Sequence, residues 1–313
     1  MNSIALGFLV INKPAGLTSH DCVNRLRRIY GIKRIGHGGT LDPAVTGVLP
    51  IAIGKATRLL SFLPSPKTYE GTIKLGISTN TDDLTGETIS EHSWDQVKEN
   101  SILNCLNKFQ GEIKQCPPIF SSVHINGERA YKKARRGEFF ELPPKLIKIY
   151  RIKLINWNKK DGTIDLEVHC SPGTYIRSLA RDIGKKLGCG GALAKLNRTM
   201  ALGFNIDQAI ELPDLDKNND LNKPMIIDPL KALSHLPSIK LMTIDELSSW
   251  RKGKHLILSK SRLKNPLYLI EDDKDIPKTF LTVINNENHL IGLARWHHEP
   301  FKIEPKIVFN ADG

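Results

Sequence analysis

The stretch RIGHGGTLDPAVTGVLPIAIGKAT, residues 34–57, sets a glycine cluster, a histidine and a Thr-Leu-Asp-Pro turn ahead of a long apolar run ending in Gly54-Lys55. It offers two readings: a loop that cradles phosphate, or a platform for its one acidic residue, Asp42. A nucleoside-triphosphatase loop needs G-x-x-x-x-G-K-[ST], because its amides wrap the phosphates and its hydroxyl holds magnesium. Here Ala56 follows Gly54-Lys55, and Leu49 stands where the first glycine is required. The phosphate loop is excluded. For Asp42, Pro43 restrains the preceding backbone toward an extended conformation while Leu41 can anchor the turn in the core. The glycines at 36, 38 and 39 permit unusual dihedrals or close approach of a ligand. A positioned, desolvated carboxylate is a competent nucleophile. By pattern alone, a plain Asp-Pro turn still outweighs that role, and a glycosidase would need a second acid.

Upstream, Phe8–Ile11 reads as a short buried strand closed by the turn NKPAG, with Ser19 capping a helix that ends at Gly31. Cys22, Leu26 and Ile29 form its apolar side. Downstream, TYEGTIKLGI alternates from Tyr69 through Ile73, Leu75 and Ile77, a strand with Tyr69 on its apolar face. SWDQ, residues 93–96, has the form of a capping box and predicts a helix whose Ile102, Leu106 and Phe109 face a core. Residues 115–144 are irregular and proline-bearing, and carry the basic run YKKARRGE. Lys132, Lys133 and Arg135 beside Tyr131 suit a loop gripping a nucleic-acid backbone, and a merely solvated loop is an equal reading.

Residues 164–170 alternate as another strand, and SPGT turns the chain into a helix with Ile176, Leu179, Ala180, Ile183 and Leu187 at helical spacing. Tyr175 and Arg177 thereby fall in the first turn after a strand, a usual place for site residues. From Asp207 to about Pro237 the chain is polar and acid-rich, a linker or peripheral segment. Beyond it, short apolar stretches separated by polar turns predict a small, mostly β module with its own core.

The 313 residues carry 45 Lys+Arg against 33 Asp+Glu, a formal charge of +12, which favours a polyanionic partner such as nucleic acid. Five cysteines without a C-x-x-C pair suit reduced thiols in a cytoplasmic protein. GFLVI is too short for a membrane span and lacks a preceding basic segment. Neither His169-Cys170 nor His297-His298 has zinc-site spacing, and no G-x-S-x-G elbow or deaminase signature occurs.

Taken together, GHGGTLDPAVTGVLPIAIGKATR closely resembles the motif of the TruB family, the bacterial tRNA pseudouridine-55 synthases. GFLVINKPAGLTSHDCV resembles the family's opening motif and KTYEGTIKLGISTNTDDLTGE its next. QCPPIFSSVHINGERAYKKAR resembles its tRNA-gripping insertion, and VHCSPGTYIRSLARDIGKKLGCGGALAKLNRT its late motif. These ordered motifs span residues 7–199.

The resemblance implies an α+β catalytic domain over residues 1–237, built on a mixed, largely antiparallel sheet flanked by helices. A small C-terminal β-barrel of the PUA type would occupy 238–313. It implies isomerisation of uridine to pseudouridine in the T-stem-loop of tRNA by a monomer with no cofactor, no metal and no obligatory protein partner. Asp42 would be the nucleophile, Arg177 its ion-pair partner, and Tyr69 the ring stacked on the flipped uracil, serving also in late proton transfer. Tyr175 and Leu196 would line the uridine pocket. His37 would fill the vacated stack or touch RNA beside it, since extrusion costs a few kcal/mol. Two positions depart from the family pattern: Gly38 replaces a usual threonine, which would loosen the loop, and His124 stands where lysine is common.

Overall fold

The computed structural model describes residues 6–214, 223–264, 280–297 and 300–310. The chain opens with β1 (Gly7–Lys13) and α1 (Ser19–Tyr30), returns through β2 (Ile35–His37) and β3 (Thr46–Ile53), and passes a 3-10 segment (Gly54–Phe62) into β4 (Lys67–Leu75). A hairpin of β5 (Ile77–Thr79) and β6 (Thr88–Glu91) precedes α2 (Glu99–Asn107) and β7 (Gly111–Gln115). The insertion holds β8 (His124–Ile125), β9 (Glu128–Arg129) and α3 (Ala130–Arg135). Then follow β10 (Lys145–Asn158), β11 (Thr163–Cys170), α4 (Ile176–Leu187), β12 (Gly191–Ala201), β13 (Phe204–Asn205) and β14 (Ile210–Glu211).

Apart from the β5–β6 and β8–β9 hairpins, these strands build one ten-stranded sheet in the order β14-β1-β3-β12-β4-β11-β10-β7, with β2 beside β3 and β13 beside β12. Only β1–β14 and β3–β12 run parallel. The mixed, largely antiparallel sheet flanked by helices is as expected.

Residues 47–53 of β3 are all buried because both of its faces are covered. Leu49, Ile51 and Ile53 pack with Leu9, Ile11 and the α1 residues Cys22 and Leu26, while Val48 and Ala52 face Phe8 and Leu59. β11 instead alternates buried and partly exposed residues, its Ile164, Leu166 and Val168 meeting α2 and α4 on one side only.

Several local expectations shift. The N-cap of α1 is Thr18, not Ser19: Thr18 Oγ1 accepts from Asp21 N at 3.1 Å and Asp21 accepts from Thr18 N at 2.9 Å. SWDQ does not open α2. Ser93 Oγ accepts from Asp95 N in a tight turn, Trp94 Nε1 donates to Lys159 O at 3.0 Å, and the helix begins at Glu99. β4 ends at Leu75 because Gly76 turns the chain at φ 84°, so Ile77 joins the separate hairpin. Residues 115–144 are not wholly irregular, since the hairpin and α3 lie within them.

The acid-rich 215–222 and the apolar LYLIED (267–272) lie outside the described residues. The remainder of 207–237 is structural rather than a linker. Phe8 and Ile227 exchange backbone hydrogen bonds of 2.7 and 2.9 Å, and Leu233 and Leu236 are buried against β1 and β3.

The C-terminal sheet comprises β15 (Ser238–Lys240), β16 (Leu256–Ile257), β17 (Leu263–Lys264), β18 (Phe280–Ile284), β19 (Leu290–His297) and β20 (Lys302–Val308). Helices α5 (Pro229–Ala232) and α6 (Ile244–Arg251) precede and interrupt it. Its order is β16-β20-β19-β18-β15-β17, and β16 and β17 do not pair. Among the described residues it is therefore a curled half-barrel, PUA-like but not closed.

It has a core of its own around Trp250, Leu281 and Ile303. It also shares one with the large sheet: Leu293, Ile307 and Phe309 pack with Leu59 and Leu63, and Phe280 meets Phe62 edge-on at 5.0 Å. Lys55 Nζ donates to Asn310 Oδ1 at 2.9 Å and Arg58 to Val308 O at 3.2 Å. The Gly-Lys pair that resembles a phosphate loop is thus engaged in docking the second sheet.

Candidate active site

Asp42 lies in the loop between β2 and β3, and the backbone of that loop is held on both sides of it. Lys13, 0% exposed at the end of β1, points Nζ at three carbonyls: Pro14 O at 2.8 Å, Leu17 O at 2.7 Å and Pro43 O at 3.1 Å. Gly16 N also donates to Pro43 O, at 2.8 Å. Ser19, relieved of capping by Thr18, turns its hydroxyl onto Leu41, accepting from the amide at 2.9 Å and donating to the carbonyl at 3.3 Å. Arg198, in the middle of β12 and 0% exposed, donates to Gly39 O at 3.0 Å, to Thr40 O at 3.5 Å and to Val48 O at 2.8 Å. Val45 N closes the turn onto Asp42 O at 3.0 Å. Every carbonyl from Gly39 to Pro43 therefore has a donor, which leaves the Asp42 carboxylate as the loop's free group.

Arg177 meets that carboxylate. Its Nη2 lies 2.8 Å from Asp42 Oδ2, with the arginine side chain 11% exposed and the aspartate 49%. Arg177 is itself aimed by donation to Thr81 O at 3.3 Å and Phe120 O at 3.1 Å, with Asp83 Oδ2 at 3.8 Å. One turn along α4, Arg181 pairs with Asp82 at 2.8 Å and donates to Cys116 O at 2.9 Å. Two arginines on one helix face thereby tie the 79–86 loop and the root of the insertion to the Asp42 loop. Asp82 takes φ 62°, a left-handed conformation held by its ion pair.

The floor beneath is apolar. Tyr69, 7% exposed, clusters with Leu41 and Val45, and pairs across the strands with Arg198. Burial pushes its hydroxyl above the ordinary tyrosine range, while the hydrogen-bonded Arg198 guanidinium pulls in the opposite direction. Leu196 stands opposite Gly71, two residues along β4 from Tyr69, and its Cδ1 fills the place a β-carbon at 71 would take, 3.0 Å from it. Tyr175 immediately precedes α4, its backbone clamped by Gln115: the side-chain amide accepts from Tyr175 N at 2.9 Å and donates to Tyr175 O at 3.1 Å.

His37 ends β2. Its Nδ1 accepts from Gly39 N at 3.3 Å, which leaves Nε2 to carry the proton of the neutral ring. Burial, reinforced by Arg198, lowers its pKa from the ordinary 6.5. The folded protein holds His37 neutral where the unfolded chain takes up a proton. Its contribution to stability is complete above about pH 6.5 and falls as the pH drops below it. Titration of the His37 ring by NMR should give a midpoint below 6.5, and a midpoint above it would contradict the desolvated placement.

Gly38 does not loosen the loop. Its amide donates to Pro50 O at 2.8 Å, and a β-carbon there would collide with Leu202 Cδ1, so Leu202 fills the space. In the insertion, Lys133 is paired with Glu138 at 3.0 Å, Arg135 lies over the Tyr131 ring at 5.6 Å, and Lys132 is exposed. His124 is exposed in the hairpin. Among the described residues, no three His, Cys, Asp or Glu side chains are grouped to hold a metal ion, and no helix is long and apolar enough to cross a membrane.

Sequence reasoning singled out Asp42, Arg177, Tyr69, Tyr175, Leu196 and His37, and missed Lys13, Gln115, Arg181 and Arg198. A charged residue within an apolar strand pattern was the available signal for Arg198. Replacing Lys13 by methionine keeps the volume but takes the side-chain donor from the Pro14, Leu17 and Pro43 carbonyls, of which Pro43 keeps the Gly16 amide, and should cost ~1–3 kcal/mol in urea unfolding together with activity. Unchanged stability would contradict the clamp.

A model of the N-terminal domain of TruB family pseudouridylate synthases matches residues 27–176, and one of the tRNA pseudouridylate synthase B C-terminal domain matches 177–230. The chain is 51% identical over 310 residues to tRNA pseudouridine synthase B of Prochlorococcus marinus strain NATL1A, covering 98% of each protein. It is 48% identical over 321 residues to that of strain MIT 9313, covering 99% of this chain and all of the relative. Among solved structures, a Cbf5-Nop10-Gar1 complex contains a chain 25% identical with a TM-score of 0.67, the match covering 97% of this chain and 85% of that one. An H/ACA ribonucleoprotein bound to substrate RNA contains one 24% identical, with a TM-score of 0.66 and 98% and 86% covered.

Proposed function

The chain belongs to the TruB family of tRNA pseudouridine synthases, and from that membership we propose that it isomerises one uridine in the T-loop of tRNA, at position 55, with Asp42 initiating the reaction. The family's reaction breaks the N1–C1′ glycosidic bond, turns the uracil, joins C5 to C1′, and moves a proton from C5 to N1. The observation that carries the reading is the Asp42–Arg177 pair, one oxygen at 2.8 Å from the guanidinium and the carboxylate half open above an apolar floor.

In this reading Arg177 pairs with the Asp42 carboxylate and aims it, a task suited to a planar guanidinium that also keeps two carbonyl acceptors. The extruded base lies on Tyr69, with Leu196 and Tyr175 at its edges. Tyr69 serves in the late transfer of the C5 proton, its hydroxyl held in place by Arg198. Neutral His37 replaces the lost stack, and Lys132, Lys133 and Arg135 hold phosphates, which makes binding fall with added salt. Residues 1–237 form the catalytic unit and 238–313 the PUA-like RNA-binding unit, acting as a monomer without a protein partner.

The test is to incubate the purified chain with an unmodified tRNA transcript and map pseudouridine along it. Modification at a single T-loop uridine, with no added protein or guide RNA, is expected. Modification elsewhere, or only when guide RNA is supplied, would overturn the proposal.

A further inference from the structure

Behind Gly39 two cations converge. A β-carbon on Gly39, whose φ of 134° excludes most other residues, would stand 3.3 Å from Lys67 Nζ and 3.5 Å from an Arg198 Nη1. Among the described residues neither cation has a carboxylate partner, and the Lys67 ammonium makes no hydrogen bond. Arg198 spends its donors on carbonyls and Tyr69.

The surrounding groups supply no negative charge. Cys170, the cross-strand partner of Lys67, is a thiol pushed up to about 11 by burial, and burial likewise raises Tyr69. His37 is neutral. Burial and the neighbouring Arg198 both lower the pKa of Lys67. Two like charges held together in a half-buried site are destabilising unless an anion completes it. Lys67 shares the Tyr69 face of β4 by strand alternation, and it remains partly accessible while Arg198 is sealed.

We propose that Lys67, with Arg198 behind it and the bare Cα of Gly39 allowing close approach, forms an anion site that receives the phosphodiester next to the extruded nucleotide. The proposal rests on the RNA-modifying reading above. Lys67 makes the direct contact, and Arg198 is a positioning residue that holds the Gly39–Thr40 carbonyls and adds its field. The phosphate binds only once the nucleotide has left the helix, so the site favours the flipped state over initial docking.

The test compares Lys67→Met and Lys67→Arg with the wild type in the full-length chain. Lys67→Met should melt no lower than wild type, because an uncompensated charge is removed, while KM for tRNA rises about tenfold. The slope of log affinity against log salt, measured in an Asp42→Asn background, should fall by roughly one phosphate contact, and Lys67→Arg should restore it. Inorganic phosphate should shift the Lys67 Nζ resonance of wild type if a free anion enters the site. A shift that appears only with RNA assigns the site to the backbone phosphate. Unchanged KM and slope in Lys67→Met would overturn the proposal, and so would a lowered melting temperature that accounts for the lost affinity. Wild-type protein that makes no T-loop pseudouridine would instead refute the functional reading on which this rests.

Discussion

Asp42→Asn should bind tRNA as wild type does and form no pseudouridine, a loss of at least about 10⁴ in turnover, or ~5.5 kcal/mol of barrier. The substitution is nearly isosteric, and the loop does not depend on the carboxylate for its shape. The Gly39, Thr40, Leu41 and Pro43 carbonyls are held by Arg198, Ser19, Lys13 and the Gly16 amide. What changes is the charge facing Arg177 and the nucleophilicity of the oxygen left open. Turnover within tenfold of wild type would remove Asp42 from the chemistry, and loss of tRNA affinity would give it a binding role instead. Both are read by single-turnover assays beside filter binding.

Arg177→Lys should lower kcat by about 10²–10³ with KM within a few-fold. Charge is retained, so a purely electrostatic role predicts near-normal activity. The guanidinium, however, satisfies Thr81 O and Phe120 O while it meets Asp42, and a lysine ammonium has neither the fork nor the reach to serve all three. Asp42 then loses its aim, and the base of the insertion loses its tie to α4. A kcat within fivefold of wild type would mean that position 177 contributes charge alone. Circular dichroism and melting separate this from unfolding, because Arg181 still ties α4 to Asp82 and Cys116.

Most of the fold was legible where periodicity was driven by a single buried face. β11 and α4 stand where alternation and helical spacing put them, because one side of each meets the same core. Punctuation was less legible. SWDQ has the composition of a cap, yet Trp94 fixes that turn against Gly76 and Lys159, a contact formed across distant residues. Residues 223–237 look like part of a linker because the polar run PDLDKNNDLNKP leads into them, and only their packing on Phe8 and the 3-10 segment makes them structural.

The site divides in the same way. The sequence by itself determined which groups are available: an aspartate held extended by its proline, a tyrosine on an apolar strand face, and an arginine in the first turn of a helix. Spacing also excluded the phosphate loop, whose lysine docks the second sheet. Only the tertiary structure decided that Asp42 and Arg177, 135 residues apart in the chain, stand 2.8 Å from each other. It likewise decided that the scaffold around them is made by buried cations, Lys13 and Arg198, which sequence reasoning passed over. The physical reason is that a buried charge needs a counter-charge or several hydrogen-bonding groups around it; here carbonyls from distant segments supply them, and that convergence is a property of the folded chain.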